Sequence, residues 1–146
     1  MKKSLLTIAA AVIAGFASAQ DLKTTDVPSV VLSTFQTSFA NATDVEWELK
    51  DNLYKADFEV SSVDHDVWLA ADGTVKRVEK ELRDKDLPVS IKDKIQSELG
   101  KFRIDDVTAI TEGNRTTYEV DLDSATEERT VVFSADAAIL SNQITD

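Results

Sequence analysis

The stretch Tyr54-Lys55-Ala56-Asp57-Phe58 decides the fold, and a similar stretch, Tyr118-Glu119-Val120-Asp121-Leu122, follows sixty-four residues later. Both stretches alternate apolar and polar side chains, which is the period of a β-strand with one buried face. A helix-like apolar stripe precedes each stretch, and a strand-like segment that ends near an aspartate follows it. The chain is therefore interpreted as one structural unit that is written twice.

Each unit begins with an Asp-x-Pro segment, at residues 26–28 and 86–88. Proline is tolerated in the first turn of a helix because its missing N–H would have no partner there. An apolar stripe with four-residue spacing follows, formed by Val27, Val31, Phe35 and Phe39 in the first unit and by Leu87, Ile91, Ile95 and Leu99 in the second. This spacing predicts one short amphipathic helix in each unit.

Turn residues divide the rest of each unit into strand-like segments. Asp51-Asn52, Asp72-Gly73 and Gly113-Asn114 have the residue types that tight turns favour. Ala137 stands where the glycine of Asp72-Gly73 would recur in the second unit. A turn of a different type, or a strained one, is therefore expected at that position.

Four strands are expected after each helix, and the fourth strand of the first unit, residues 75–82, is heavily charged, which suits the edge of a sheet. The predicted fold class is α+β: a tandem repeat of a helix plus an antiparallel four-stranded sheet, with each helix packed on one sheet face. The predicted units cover residues 26–83 and 84–146.

The first nineteen residues have the pattern of a secretory signal peptide. Met1-Lys2-Lys3 is a basic start, an apolar run follows, and Ala17-Ser18-Ala19 is a small-x-small cleavage site. A retained anchor helix is the alternative, but the apolar run is short for a membrane span. The mature chain is expected to begin at Gln20 with a flexible segment to residue 25, to be periplasmic or secreted, and not to insert into a membrane.

The chain is strongly acidic, with a net charge of −11 that becomes −13 when the two lysines of the predicted signal peptide are removed. Such a charge repels nucleic acid and anionic lipid, so neither is an expected partner. The acidic surface is either an ordinary solvated surface or one that suits a basic partner or divalent cations. With no cysteine, an exported chain must rely on its hydrophobic core for stability.

No catalytic or metal-binding motif is apparent. His65 is the single histidine and the chain has no cysteine, whereas a zinc site needs three or four ligands. Neither an Asp-x-Asp-x-Asp-Gly calcium loop nor a Gly-x-Ser-x-Gly elbow is present. We predict no enzyme activity, no catalytic residues, no metal and no cofactor, and a hydrolase is the least favoured alternative.

Several segments together resemble a known family of small exported bacterial proteins, common in Bacteroidetes. These segments are Val27-Pro28, Val45-Glu46-Trp47-Glu48, Tyr54-x-Ala-x-Phe58 and Ala71-Asp72-Gly73-Thr74, and they are similar to the PepSY-like, beta-lactamase-inhibitor-like proteins. The resemblance covers nearly all of residues 26–144, although the second unit lacks the Asp-Gly turn and the tryptophan. It implies tandem helix-and-sheet repeats, a role in restraining peptidases or acting in the periplasm, and no catalytic residues. In the inhibitor that gives the family its name, a concave sheet surface binds the enzyme.

Trp68 is the candidate anchor of a binding surface. If Val67 and Leu69 face the helix, strand alternation places Trp68 on the opposite face, among charged side chains. A large aromatic ring in polar surroundings is typical of an interface anchor. The alternatives are a register shifted by one residue, or packing of the ring on a loop or on the other unit.

The leading hypothesis is an exported, non-enzymatic binding module that holds a protein partner on the helix-free sheet face. It would inhibit or regulate a periplasmic enzyme such as a peptidase. The predicted partner-binding residues are Trp68, Lys55, Asp57 and Glu48. The alternative is an acidic periplasmic protein that binds cations or small ligands.

Overall fold

The computed structural model describes residues 19–145, so the predicted signal peptide lies outside the described residues apart from Ala19. Two helices are present, α1 (Ser29–Ser38) and α2 (Val89–Glu98), and a short 3-10 turn precedes each of them. The strands are β1 (Gln20–Leu22), β2 (Thr43–Lys50), β3 (Leu53–Val60), β4 (Val63–Leu69), β5 (Val75–Glu81), β6 (Arg103–Glu112), β7 (Arg115–Asp123), β8 (Glu128–Ser134) and β9 (Ile139–Ile144). Neither helix in the described range is long and apolar enough to cross a membrane.

All the strands form one antiparallel sheet, in which each strand lies beside its neighbours in sequence from β1 to β9. The predicted fold class is therefore wrong. The described chain is mostly β, with one nine-stranded sheet and two short helices, and not a tandem of a helix plus a four-stranded sheet. Residues 20–22, within the segment expected to be flexible, pair with β2 at one edge of the sheet.

The physical reason for the error lies in β5, which was expected at an edge because of its charges. β5 instead pairs with β6 through four residue pairs, from Val78 opposite Thr111 to Glu81 opposite Thr108. Arg77 forms an ion pair with Glu112 of β6, with 2.9 Å between Nη1 and Oε1. Because the charged side chains of β5 find partners across the strands, the strand is accommodated inside the sheet.

Each helix buries its apolar stripe against the strands that follow it. Val31 and Phe35 of α1 and Ile91 and Ile95 of α2 are buried. The first cluster is completed by Val27, Trp47, Ala56, Phe58, Val67 and Leu69, and the second by Leu87, Phe102, Val107, Val120, Leu122, Val131, Phe133 and Ala137. Burial of one large apolar side chain contributes about 1.5–3 kcal/mol, so these two clusters dominate the stability of the sheet.

Both helices cover the same face of the sheet. Val78 lies opposite Val67 and packs against the α1 cluster, and its partner in β6 is Thr111. Strand alternation gives Thr111 the same side as Val107, which is buried in the α2 cluster. The opposite face of the sheet carries no helix in the described range.

Two turns with the same hydrogen bonds accommodate different residues. The N–H of Gly73 donates to the carbonyl of Ala70 at 2.9 Å, and the N–H of Ala137 donates to the carbonyl of Ser134 at 3.0 Å. Gly73 has φ +85° and Ala137 has φ +66°. Of the two alternatives expected at Ala137, a different turn type or a strained turn, the structure shows the strained turn, since a left-handed alanine costs about 1 kcal/mol.

Candidate functional site

Side chains that alternate with the core residues form the helix-free face, which we call the open face. Trp68 lies between Val67 and Leu69, both fully buried in the α1 cluster, so its side chain lies on the open face. The same alternation places the following residues of β2–β5 on this face: Glu46, Glu48, Lys50, Leu53, Lys55, Asp57, Glu59, Asp64, Asp66, Trp68, Arg77, Glu79 and Glu81.

The ring of Trp68 is held between two cations. Lys55 lies opposite Trp68 on β3 and Arg77 lies opposite it on β5. The Lys55 Nζ atom is 5.3 Å from the ring centroid and the guanidinium carbon of Arg77 is 5.5 Å from it. Each such contact contributes about 0.5–1 kcal/mol at a partly exposed site, so the two cations hold the half-buried ring in place.

The two cations are in turn held by carboxylates. Lys55 Nζ is 2.7 Å from Asp57 Oδ1 and 3.5 Å from Asp66 Oδ2. Burial lowers the pKa of Lys55, but the hydrogen bond to Asp57 and the charge of Asp66 outweigh this and raise it above the ordinary value. Arg77 donates from Nε to Glu79 Oε1 at 2.7 Å. The aromatic ring and its cations therefore form one connected polar network.

A row of carboxylates crosses the face beside this network. Glu46 lies opposite Asp57, Asp57 opposite Asp66, and Asp66 opposite Glu79. Burial, followed by the hydrogen bond and the charge of Asp57, raises the pKa of Asp66 to about 7. Burial also raises the pKa of Asp57, but hydrogen bonds from Asp66 and Lys55 hold it below its usual value. The pKa of Asp66 is therefore raised while that of Asp57, directly opposite, is lowered.

The other half of the open face is less charged. On β6–β9 the residues on this side are Arg103, Asp106, Thr108, Ile110, Glu112, Arg115, Thr117, Glu119, Asp121, Asp123, Glu128, Thr130, Val132, Ser134, Ser141 and Gln143. Ile110 is only 8 % exposed, yet it belongs to neither helix cluster and lies between Glu79 and Thr117. Burial, followed by the charges of Asp121 and Glu79, raises the pKa of Glu119.

Comparison with known families identifies the family of the chain. The family model described as "Putative beta-lactamase-inhibitor-like, PepSY-like" matches residues 17–64 and 52–140. The chain belongs to this beta-lactamase-inhibitor-like, PepSY-like family. The resemblance predicted from the sequence is thereby confirmed. No curated protein matches the chain in sequence.

Solved structures show the same fold as this beta-lactamase-inhibitor-like chain. A DUF2874 family protein from Bacteroides uniformis has a TM-score of 0.73 at 16% identity, over 80% of this chain and 88% of that one. A BLIP-like protein from Bacteroides fragilis has a TM-score of 0.70 at 24% identity, over 81% and 86%. A structure from Bacteroides eggerthii described as "putative periplasmic proteins" has a TM-score of 0.73 at 15% identity, over 81% and 88%.

The structure brings the four residues predicted to bind a partner into one part of the open face of this PepSY-like chain. Glu48 lies opposite Lys55, and Lys55 lies opposite Trp68. Asp57 contacts Lys55. Their role in binding stays a prediction. The sequence reasoning missed Arg77 and the row formed with Asp66, because both depend on pairing between strands.

The Asp64-His65-Asp66 segment does not form a metal centre in the described range. Strand alternation places the His65 ring on the helix side, where it stacks on Phe58 at 5.3 Å between ring centroids, and its Nδ1 atom lies 2.8 Å from the carbonyl oxygen of Val63. Within residues 19–145 no cluster of three or more His, Asp or Glu side chains could hold a metal ion.

Proposed function

We propose that this protein is an exported, non-catalytic binding module that holds a protein partner on its open face, with Trp68 at the centre of the contact. The partner would be a periplasmic enzyme, such as a peptidase, that the module inhibits or regulates. Membership of a beta-lactamase-inhibitor-like family supports a binding role. The predicted signal peptide, and a structural neighbour described as periplasmic, support the location.

The observation that carries the proposal is the fixed, half-buried ring of Trp68. Residues that dominate protein interfaces are enriched in tryptophan and arginine, and they lie in surroundings that exclude water. Lys55 and Arg77 hold the ring on both sides, so little side-chain entropy would be lost when a partner covers it.

The size of the open face also suits a protein partner. With about 4.8 Å between strands and about 3.3 Å per residue along them, strands β2–β9 present roughly 40 by 20 Å. This is about 800 Å², the area that each partner contributes to a standard protein–protein interface.

Site-specific photo-crosslinking tests the proposal. A photoreactive residue replaces Glu48 on the open face or, as a control, Val89 on α2, which is 69% exposed. The protein is expressed with its own N-terminal segment in the organism that encodes it. We expect an adduct from position 48 and none from position 89. Adding Trp68→Ala should reduce the adduct by roughly tenfold or more, as expected for a hot-spot residue.

The folding of each variant is checked by its thermal melting curve. Equal adducts from the two positions would show that the contact is not specific to the open face. An undiminished adduct from folded Trp68→Ala protein would contradict the central role of the ring.

A further inference from the structure

The aspartate pair of the open face has an arrangement that does not serve stability. Asp57 and Asp66 are directly opposite each other on β3 and β4, and like charges in such positions destabilise a sheet. Glu46 and Glu79 extend the row on either side. Lys55 is the one cation within 4.0 Å of both aspartates in the described residues.

We propose that the Asp57–Asp66 pair is a proton switch in the open face, which holds one proton at low pH and releases it as the pH rises, changing the charge beside Trp68. This inference rests on the proposed function, because it assigns a form of regulation to the same face. The number of protons on the pair would set the charge that a partner meets there.

The groups around Asp66 explain why one proton is retained. On β3 it faces Asp57 and Lys55, and on β5 it faces Glu79, between Arg77 and Glu81. Asp106 of β6 lines the same hollow as Asp66 and Glu81. Asp64 and Trp68 are its open-face neighbours on β4, while Glu46 and Glu48 of β2 lie beyond β3. One lysine cannot neutralise two opposed aspartates, so one of the two carboxyls keeps its proton to a higher pH than an isolated aspartate would. Burial, the hydrogen bond with Asp57 and its charge raise the pKa of Asp66 to about 7 in agreement with this geometry.

Loss of the proton would reach Trp68 through Lys55. The Lys55 ammonium contacts the ring at 5.3 Å and also contacts both aspartates. When Asp66 becomes ionised, it loses its hydrogen-bond donor and attracts Lys55 more strongly. The position of Lys55 and the surroundings of the Trp68 ring therefore change when Asp66 loses its proton.

Nuclear magnetic resonance tests the switch without any partner. The carboxyl carbon of Asp66 and the indole N–H signals of both tryptophans are followed between about pH 4 and pH 9 in the labelled protein. We expect the Asp66 carbon and the Trp68 indole to titrate together with a midpoint of about 7. Trp47, buried in the α1 cluster, should not follow them.

Three variants assign the titration. Asp66→Asn should abolish the change at the Trp68 indole, and Asp57→Asn should lower the midpoint of Asp66 by about one pH unit or more. His65→Gln is the control, because histidine side chains titrate in the same range, and it should leave the Trp68 titration in place. A midpoint for Asp66 near 4, or a Trp68 titration that survives in Asp66→Asn, would overturn the switch. Either result would leave the crosslinking prediction intact, and a failed crosslink would not alter the titration.

Discussion

Replacement of Asp66 by asparagine should stabilise the protein, although it removes a charged residue from the surface of a sheet. The amide of asparagine can donate to Asp57 as the protonated carboxyl does, and it cannot ionise. The variant therefore keeps the hydrogen bond while it removes the repulsion within the carboxylate row. The gain should be largest at high pH, where the wild-type carboxyl is ionised.

The sign and size follow from the pKa of Asp66, which is about 7 in the folded protein against an ordinary value of 3.8. Between these two values the folded state binds more protons than the unfolded state, so the free energy of unfolding falls as pH rises through this window. The interval corresponds to at most about 4 kcal/mol, at about 1.36 kcal/mol for each pH unit. The side chain is 30% exposed, and solvent screening reduces the expected gain to about 2 kcal/mol.

Urea and thermal unfolding of the wild type and of Asp66→Asn at pH 4.5 and pH 8 measure this gain. About 2 kcal/mol should raise Tm by roughly 6–10 °C at pH 8 for a domain of this size. The difference should fall to about half at pH 4.5, because an aspartate of the unfolded chain, with its ordinary pKa of 3.8, is already largely ionised there. Asp72→Asn is the control and should lower Tm at pH 8, because the hydrogen bond from the N–H of Thr74 lowers the pKa of Asp72. Equal Tm values at pH 8, or a gain that does not depend on pH, would refute the reasoning.

Four further substitutions test the packing and the network. Gly73→Ala should destabilise the protein by about 3 kcal/mol in urea unfolding, because a Cβ atom at Gly73 would lie 2.8 Å from Thr34 Oγ1. Gly113→Ala should cost only about 1 kcal/mol, because Gly113 has φ +62° but no atom lies within 4 Å of the added Cβ. Equal costs for the two variants would contradict the steric argument. Lys55→Met should move the Asp66 midpoint upward in the same NMR titration, because the charge of Lys55 lowers that pKa; an unchanged midpoint would argue against their contact. Phe35→Ala should cost about 3–5 kcal/mol, measured by thermal unfolding, as Phe35 contacts Trp47 and Phe58 at 5.2 and 5.0 Å between ring centroids; a loss under 1 kcal/mol would contradict the role of this cluster.

Local patterns in the sequence predicted the two helices, strands β2–β9 and their buried sides, but not β1. The four-residue spacing of Val31 and Phe35, and of Ile91 and Ile95, identified the helix faces that are buried. Such patterns depend on residues close in sequence, and the period of an element is a local property. Strand alternation likewise predicted Trp68 on the helix-free face, because it lies between the apolar residues Val67 and Leu69.

The joining of the two groups of strands could not be predicted in this way. Charges on β5 suggested an edge, but Arg77 pairs with Glu112, thirty-five residues away. Whether a charged strand is an edge depends on such distant partners and not on its own composition. The same limitation applies to Asp66, which meets Asp57 through a turn whose residues Ser61 and Ser62 both have positive φ values.

The order of the strands has a consequence for how the chain folds. Each strand pairs with its neighbour in sequence, so nearly all the pairing requires only the closure of short loops, and such topologies fold quickly for β proteins. The exceptions are the pairing of β1 with β2 and the seam between β5 and β6, because a helix-containing segment lies between the two strands in each case. The hairpins of β2–β5 and of β6–β9 therefore assemble from local contacts, and closing the seam between β5 and β6 is a slow, late step in folding.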